Sequence, residues 1–141
     1  MGKINVPRII SGGILAGLII NIFEGVAGAL YFQKEWDAAM RALNKPVTMG
    51  ATQMSVFWIW GFLMGISMIW LYAAIRPRFG AGPKTAVIAG LLMWFVGYLL
   101  SMVPPIVMDL FPANLMMGSI ALGLVEVLVA AQAGAWLYKE A

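Results

Sequence analysis

Four long apolar stretches alternate with short polar or proline-rich segments along the chain. They run from about Ile9 to Phe32, from Ala51 to Ile75, from Thr85 to Val103 and from Ala113 to Tyr138. Each holds the roughly 20 apolar residues that a helix needs to cross a hydrocarbon core ~30 Å thick. Each is also bounded by charge, proline or a polar loop. The stretches take up most of the sequence, which predicts a single transmembrane domain over residues 1–141 with short connections. The expected fold is an all-α membrane protein, an antiparallel four-transmembrane-helix bundle.

The connections carry patterns of their own. Between Gln33 and Gly50, Trp36, Met40 and Leu43 recur at helical spacing while Glu35, Asp37 and Arg41 take the other face, with Asp37 and Arg41 at i and i+4. This predicts a short interfacial helix in the first outer loop, ended by Asn44-Lys45-Pro46 and anchored by Trp36 at headgroup level. The second outer connection, Pro104 to Pro112, opens on Pro104-Pro105, which should end the third span; Pro112 suits the first turn of the last helix. In the string from Arg76 to Ala86, Pro77 should stop the second span, Gly80 and Gly82 allow a tight reversal, and Pro83 starts the third. Its Gly-Ala-Gly-Pro-Lys-Thr is not a phosphate loop, because Pro83 stands where the Gly before the Lys is needed and no strand precedes it. Arg76, Arg78 and Lys84 are instead expected to hold anionic lipid headgroups, at ~1 kcal/mol per basic residue near the surface.

Basic residues set the orientation. Lys3, Arg8, Arg76, Arg78, Lys84 and Lys139 flank one side of the spans and Lys34, Arg41 and Lys45 the other, so both termini are expected in the cytoplasm. Lys3, Arg8, the apolar run that follows and Ala27-Gly28-Ala29 also resemble a cleavable signal peptide, against which Glu24 weighs by its place near the cleavage point.

Composition narrows the class further. Apolar residues make up 62% and charged residues 11%, against roughly 45–50% and about 25% in soluble domains. Soluble, disordered and nucleic-acid-binding classes are excluded, since the 9 Lys and Arg are scattered and form no basic block. The chain has no Cys and no His, which removes disulfides, thiolate nucleophiles, His-based triads and the usual zinc and haem ligands. No cofactor or metal is expected, and no enzyme, because no nucleophile or cofactor motif accompanies the acids.

Helices in lipid gain little by bringing apolar surfaces together, so stripes of small residues mark their contacts. The first span offers Gly13, Gly17, Asn21, Glu24, Gly28 and Tyr31, and the second Gly61 and Gly65. The third offers Ala86, Gly90, Trp94, Gly97 and Ser101, and the fourth Ser119, Gly123, Glu126, Ala130 and Ala133. The first and fourth helices are expected to meet along these stripes, with Gly17, Gly28, Gly123 and Ala130 at the seam. Glu24 and Glu126 lie within spans, about 15 Å and about 18 Å from the same membrane face by helical rise. No basic residue lies in any of the four stretches, so the two acids are expected to face the bundle interior and share a proton or a cation. Asn21 and Gln132 are candidates to extend a hydrogen-bond chain from them, and Trp58, Trp60 and Trp94 to line an adjoining pocket.

Asn21-Ile22-Phe23-Glu24-Gly25, Glu35-Trp36-Asp37-Ala38-Ala39-Met40, the Arg76 to Ala86 loop, Leu124-Val125-Glu126 and Ala133-Gly134-Ala135-Trp136-Leu137-Tyr138 occur in this order. On these residues the chain resembles, over almost its whole length, a family of small four-span bacterial membrane proteins. That resemblance implies a bacterial inner (cytoplasmic) membrane and carries no activity. A lone Glu in the first of four spans is also similar to the small multidrug transporters, but the chain is longer and no further motif matches. Two function classes follow: a carrier or binder of a proton, cation or lipid-like ligand at the acidic pair, or a non-catalytic accessory subunit. The expected partners are membrane lipids together with a second copy of the chain or a larger membrane complex.

Overall fold

The computed structural model describes residues 3–140 and is helical throughout, with turns between the helices. The helices are α1 (Val6–Ala27), α2 (Gln33–Ala42), α3 (Ala51–Phe79), α4 (Pro83–Trp94), α5 (Ser101–Val107) and α6 (Ala113–Leu137). Two π-helical turns, Gly28–Phe32 and Phe95–Leu100, join α1 to α2 and α4 to α5 without breaking the helices. Four continuous helical stretches are therefore long and apolar enough to cross a membrane: Val6–Ala42, Ala51–Phe79, Pro83–Val107 and Ala113–Leu137.

Three expected helix breaks do not occur. Phe32 and Gln33 stay helical, so the segment with Trp36 continues the first span instead of starting after a loop. Pro77 lies inside α3, which runs on to Phe79 and ends at Gly80 (φ +88°), whose N–H returns to the Arg76 carbonyl at 2.8 Å. Pro104 and Pro105 lie inside α5, directly after a π-turn. The wider turn and a proline both loosen the regular ladder, and together they let the helix bend and continue. Asp37 accepts a bond from Gln33 Nε2 at 2.8 Å instead of the expected pairing with Arg41. Both α2 and α5 end in a Schellman motif with a non-glycine residue in the left-handed region, Asn44 (φ 55°) and Asp109 (φ 52°). Asn and Asp tolerate this conformation better than other side chains.

At one end of the molecule the chain termini and the α3–α4 turn meet. The Asn5 N–H donates to Tyr138 Oη (3.3 Å), the Tyr138 ring stands edge-on to Tyr72, and Tyr72 Oη accepts from the Gly82 N–H (3.1 Å). Thr85 Oγ1 donates to the Gly80 carbonyl at 2.6 Å, which braces the same turn. Arg76 lies over the Tyr138 ring and 3.7 Å from Glu140. Arg78 and Lys84, by contrast, are exposed beside it. Of the three residues expected to hold headgroups, Arg76 is thus turned toward the chain's own C-terminal segment.

From this terminal end, backbones approach backbones. A Cβ on Gly12 would lie 2.5 Å from the Gly134 carbonyl oxygen, and one on Gly13 would lie 2.5 Å from Ile66 Cα. One on Gly17 would come within 2.6 Å of Phe62 Cα, and one on Gly65 would strike the backbone of Gly13 and Gly17. Contacts thus pass from Ile66 to Gly61 along α3 as they climb α1 from Gly13 to Asn21. The expected seam is corrected accordingly. Gly17 faces α3 and not α6, Gly28 has open space at its Cβ, and α1 meets α6 at Gly12 and Gly134. Gly123 faces Tyr98 of the π-turn after α4.

The far, or distal, half is built differently. Every residue from Ala51 to Trp60 is exposed, as are Ile22 and Val26 on α1 and Leu30 in the π-turn after it. The part of α3 before Trp58 therefore stands away from the other helices, and α2 closes over α5 and α6. There Ala39, Leu115 and Met116 are buried against Phe32, Trp36, Met102, Ile106 and Phe111.

The glycine contacts predict a graded response. Gly65→Ala should destabilise the protein by about 1–3 kcal/mol, because the facing backbone cannot yield. Gly25→Ala, with open space around it, should be neutral or stabilising by up to about 1 kcal/mol through helix propensity. Reversible unfolding in mixed detergent micelles, followed by tryptophan fluorescence, measures both; equal losses would refute the close-approach account.

Candidate functional site

The site forms where the tight half gives way to the open half. On α6, Glu126 lies on the face that also buries Gly123, Val127 and Ala130, and it is 0% exposed. On α1, Glu24 follows Asn21 by one turn and stays exposed, above the point where α3 departs. Between them, the π-turn after α4 delivers Tyr98, 2% exposed.

Tyr98 connects the two acids. Its hydroxyl lies 2.9 Å from Glu24 Oε1 and also makes a short contact with Glu126 Oε1. A Cβ at Gly123 would occupy the space of the Tyr98 ring, so the missing side chain there is what admits the aromatic. Glu126 Oε2 is enclosed and has no hydrogen-bond partner among the described residues.

The geometry constrains the protons. A hydroxyl carries one proton and two lone pairs. It cannot donate to two carboxylates at once, so satisfying both contacts needs one carboxyl that donates to the Tyr98 oxygen. Glu126 is the group to hold that proton: it is sealed from water, and an ion without a counter-charge is far costlier to bury than a neutral acid. Tyr98 then donates to Glu24, the exposed member. One carboxyl proton completes the arrangement.

The other residues singled out from the sequence lie elsewhere. Asn21 Nδ2 donates to the Trp58 carbonyl at 3.1 Å, and its side chain fills the notch over Gly61. It ties α1 to α3 at the last point before they separate and does not bond Glu24. Gln132 Nε2 donates to the Pro83 carbonyl at 3.0 Å, which fastens α6 to the start of α4 and leads away from Glu126. Both amides donate to backbone carbonyls of a neighbouring helix, which uses their hydrogen-bonding capacity for helix–helix contact and not for a chain to the acids. Trp94 Nε1 donates to the Ile120 carbonyl at 2.8 Å, so it serves the α4–α6 contact. Trp58 packs against Phe62 and remains exposed. Trp60 borders a shallow groove of about 250 Å³ with Leu63, Met64, Ser67, Met93, Val96 and Gly97, apart from the acids.

The sequence does not place Tyr98 beside the acids, because regular helical spacing puts Gly97 and Ser101 on the inner stripe. The π-turn adds one residue to the turn and moves the inner face on, to Tyr98 and Met102. Compared with known proteins, the chain matches no family model, no curated protein and no solved structure. The functional reading therefore rests on the geometry of these residues.

The fit between Gly123 and Tyr98 makes a coupling testable. Tyr98→Phe should lose about 1–3 kcal/mol of stability by leaving the buried Glu126 proton without its acceptor, and Gly123→Ala a similar amount by overpacking. In the double variant the losses should fall short of additive by more than about 0.5 kcal/mol. Full additivity in the same unfolding assay would mean that the two residues act independently.

Proposed function

We propose that the protein is a multi-pass membrane protein whose Glu24–Tyr98–Glu126 cluster takes up and releases a proton within the membrane. The observation that carries this reading is the single tyrosine hydroxyl in contact with both intramembrane carboxyls. A proton is the ligand that reaches Glu126 without displacing Tyr98; a bulkier cation or a lipid-like ligand would have to stop at Glu24. Intramembrane acids without a basic partner are functional sites by default, since an unused one carries only cost.

The setting belongs to the same proposal. The four spanning helices run alternately up and down as an antiparallel bundle, which the order of contacts along α1, α3, α4 and α6 supports. The segment Gln33–Ala42 lies at the outer interface, where the edge-on contact of Trp36 with Phe111 (5.3 Å) fixes it. Both termini are cytoplasmic, with Lys3, Arg8, Arg78, Lys84 and Lys139 exposed at that end to meet anionic lipid. A bacterial inner membrane is supported by the family resemblance alone.

One observation favours a second reading, an accessory subunit of a larger membrane complex. The exposed run from Ala51 to Trp60, with Phe57 and Trp58 beside Val56 and Ile59, leaves large apolar side chains uncovered at the start of α3. Most glycines of the stripes are consumed inside the chain, however, so this reading loses the feature that first suggested it. Purification in mild detergent separates the two: a partner that co-purifies in fixed ratio supports the subunit, and a solitary chain supports the binder.

Glu24→Gln and Glu126→Gln should each fold, because an amide resembles a protonated acid in shape. Infrared spectra of protein in phosphatidylcholine vesicles at neutral pH should contain a protonated-carboxyl band that Glu126→Gln abolishes. A spectrum without that band in the unsubstituted protein would refute the proposal. For the topology, reporters fused at Ala81 and at Asn44 should report opposite sides, with Ala81 cytoplasmic.

A further inference from the structure

Resting on the proton-holding reading, we infer that Glu126 exchanges its proton by one route, through Tyr98 to Glu24, and that the route opens sideways between the distal halves of α1 and α3. The routes along the bundle axis are closed by apolar packing. Toward the terminal end, Ile20, Met68, Ile69, Ala89, Val127, Ala130 and Ala131 are buried in one continuous core. Toward the distal end, Leu115, Met116 and Ala39 are buried under α2, and the Phe32 ring sits against Gly118. Among the described residues, no polar side chain on either path hydrogen-bonds Glu126.

The lateral side is different. Asn21 and the Trp58 carbonyl make the last tie between α1 and α3. Beyond it, Ala51 to Phe57 are exposed, Gly25 has open space at its Cβ, and Glu24 is exposed. The outermost turns of α3 carry the exposed polar residues Thr52, Gln53 and Ser55, and the proposed route takes its water from that end. Glu24 thus meets the outside, and among the described residues Tyr98 alone hydrogen-bonds both Glu24 and Glu126.

Transfer needs no heavy-atom movement and no further reactant. The Tyr98 hydroxyl proton passes to Glu24 Oε1 as the Glu126 proton passes to the Tyr98 oxygen. The O–H bond of Glu126 breaks, a new one forms on Tyr98, and Glu24 becomes the neutral acid that releases its proton to water in the gap. Uptake reverses these steps. Among the described residues, the titratable groups facing Glu126 are Glu24 from α1 and Tyr98 from the π-turn after α4; the α3 side presents apolar residues.

Infrared hydrogen–deuterium exchange of the protonated-carboxyl band, in phosphatidylcholine vesicles, tests this route. Tyr98→Phe removes the bridge, and Glu24→Gln, which preserves side-chain shape, removes its outer end. In both variants, with helix content verified by circular dichroism, exchange at Glu126 should slow by about tenfold or more, because it then waits for local opening of the helices. Exchange at the wild-type rate in either variant would overturn the single route, while leaving a proton on Glu126. Loss of the carboxyl band from the unsubstituted protein would instead remove the proton-holding reading itself.

Discussion

Close backbone approach at glycine is the constraint from which the rest of this structure follows. In lipid, apolar side chains lose nothing by facing solvent, so packing surfaces and polar contacts must hold helices together. Gly12, Gly13 and Gly17 on α1, Gly61 and Gly65 on α3, and Gly134 on α6 remove the side chains that would keep these helices apart. The glycines stop at Gly61 in the direction of the α3 N-terminus, where Val56, Phe57, Trp58, Ile59 and Trp60 follow. With bulk in place of notches, α3 leaves the other helices at that point, and the open half of the molecule begins there.

The acidic site lies on this boundary for a physical reason. A carboxyl sealed in the tight half would have no exchange with water, and one placed wholly in the open half would have no fixed partner. Glu24 and Glu126 divide the two conditions between them, one exposed and one fully buried, and Tyr98 joins them. The unpartnered Oε2 of Glu126 fits a neutral acid better than an anion, since an unsatisfied carbonyl oxygen costs about 1–3 kcal/mol and an unpaired buried charge much more.

Much of the frame was legible in the sequence, because hydropathy reports length and apolarity directly. The four spans are found within a few residues of their expected starts, except at the joins where helices continue through Phe32, Pro77 and Pro104. The stripe positions Gly13, Gly17, Gly61 and Gly65 lie at helix contacts, since regular spacing holds in that half. Spacing fails where the helix widens. After the π-turn in the first stretch, Phe32 and not Tyr31 turns inward, leaving Tyr31 73% exposed. After the second, Tyr98 replaces Gly97. Asn21 and Gln132 were misplaced for another reason: hydrogen-bonding capacity is visible in a sequence, but which neighbouring helix's carbonyl lies within reach is not.

These two π-turns explain how the distal half holds together without close backbone contact. Each moves an aromatic ring onto a glycine of α6, Phe32 onto Gly118 and Tyr98 onto Gly123. The same small residue that admits a backbone in the terminal half admits a ring in the distal half. A ring reaches farther than a backbone, so α1 and α4 can be held to α6 while leaving space for α3 to diverge. Of the two rings, one is a phenylalanine and serves packing alone. The other bears a hydroxyl, and it is the one seated beside Glu126, where no basic side chain among the described residues completes the acid's hydrogen bonding. The contact that secures the open half of the fold is thereby also the contact that connects the buried acid to the exposed one.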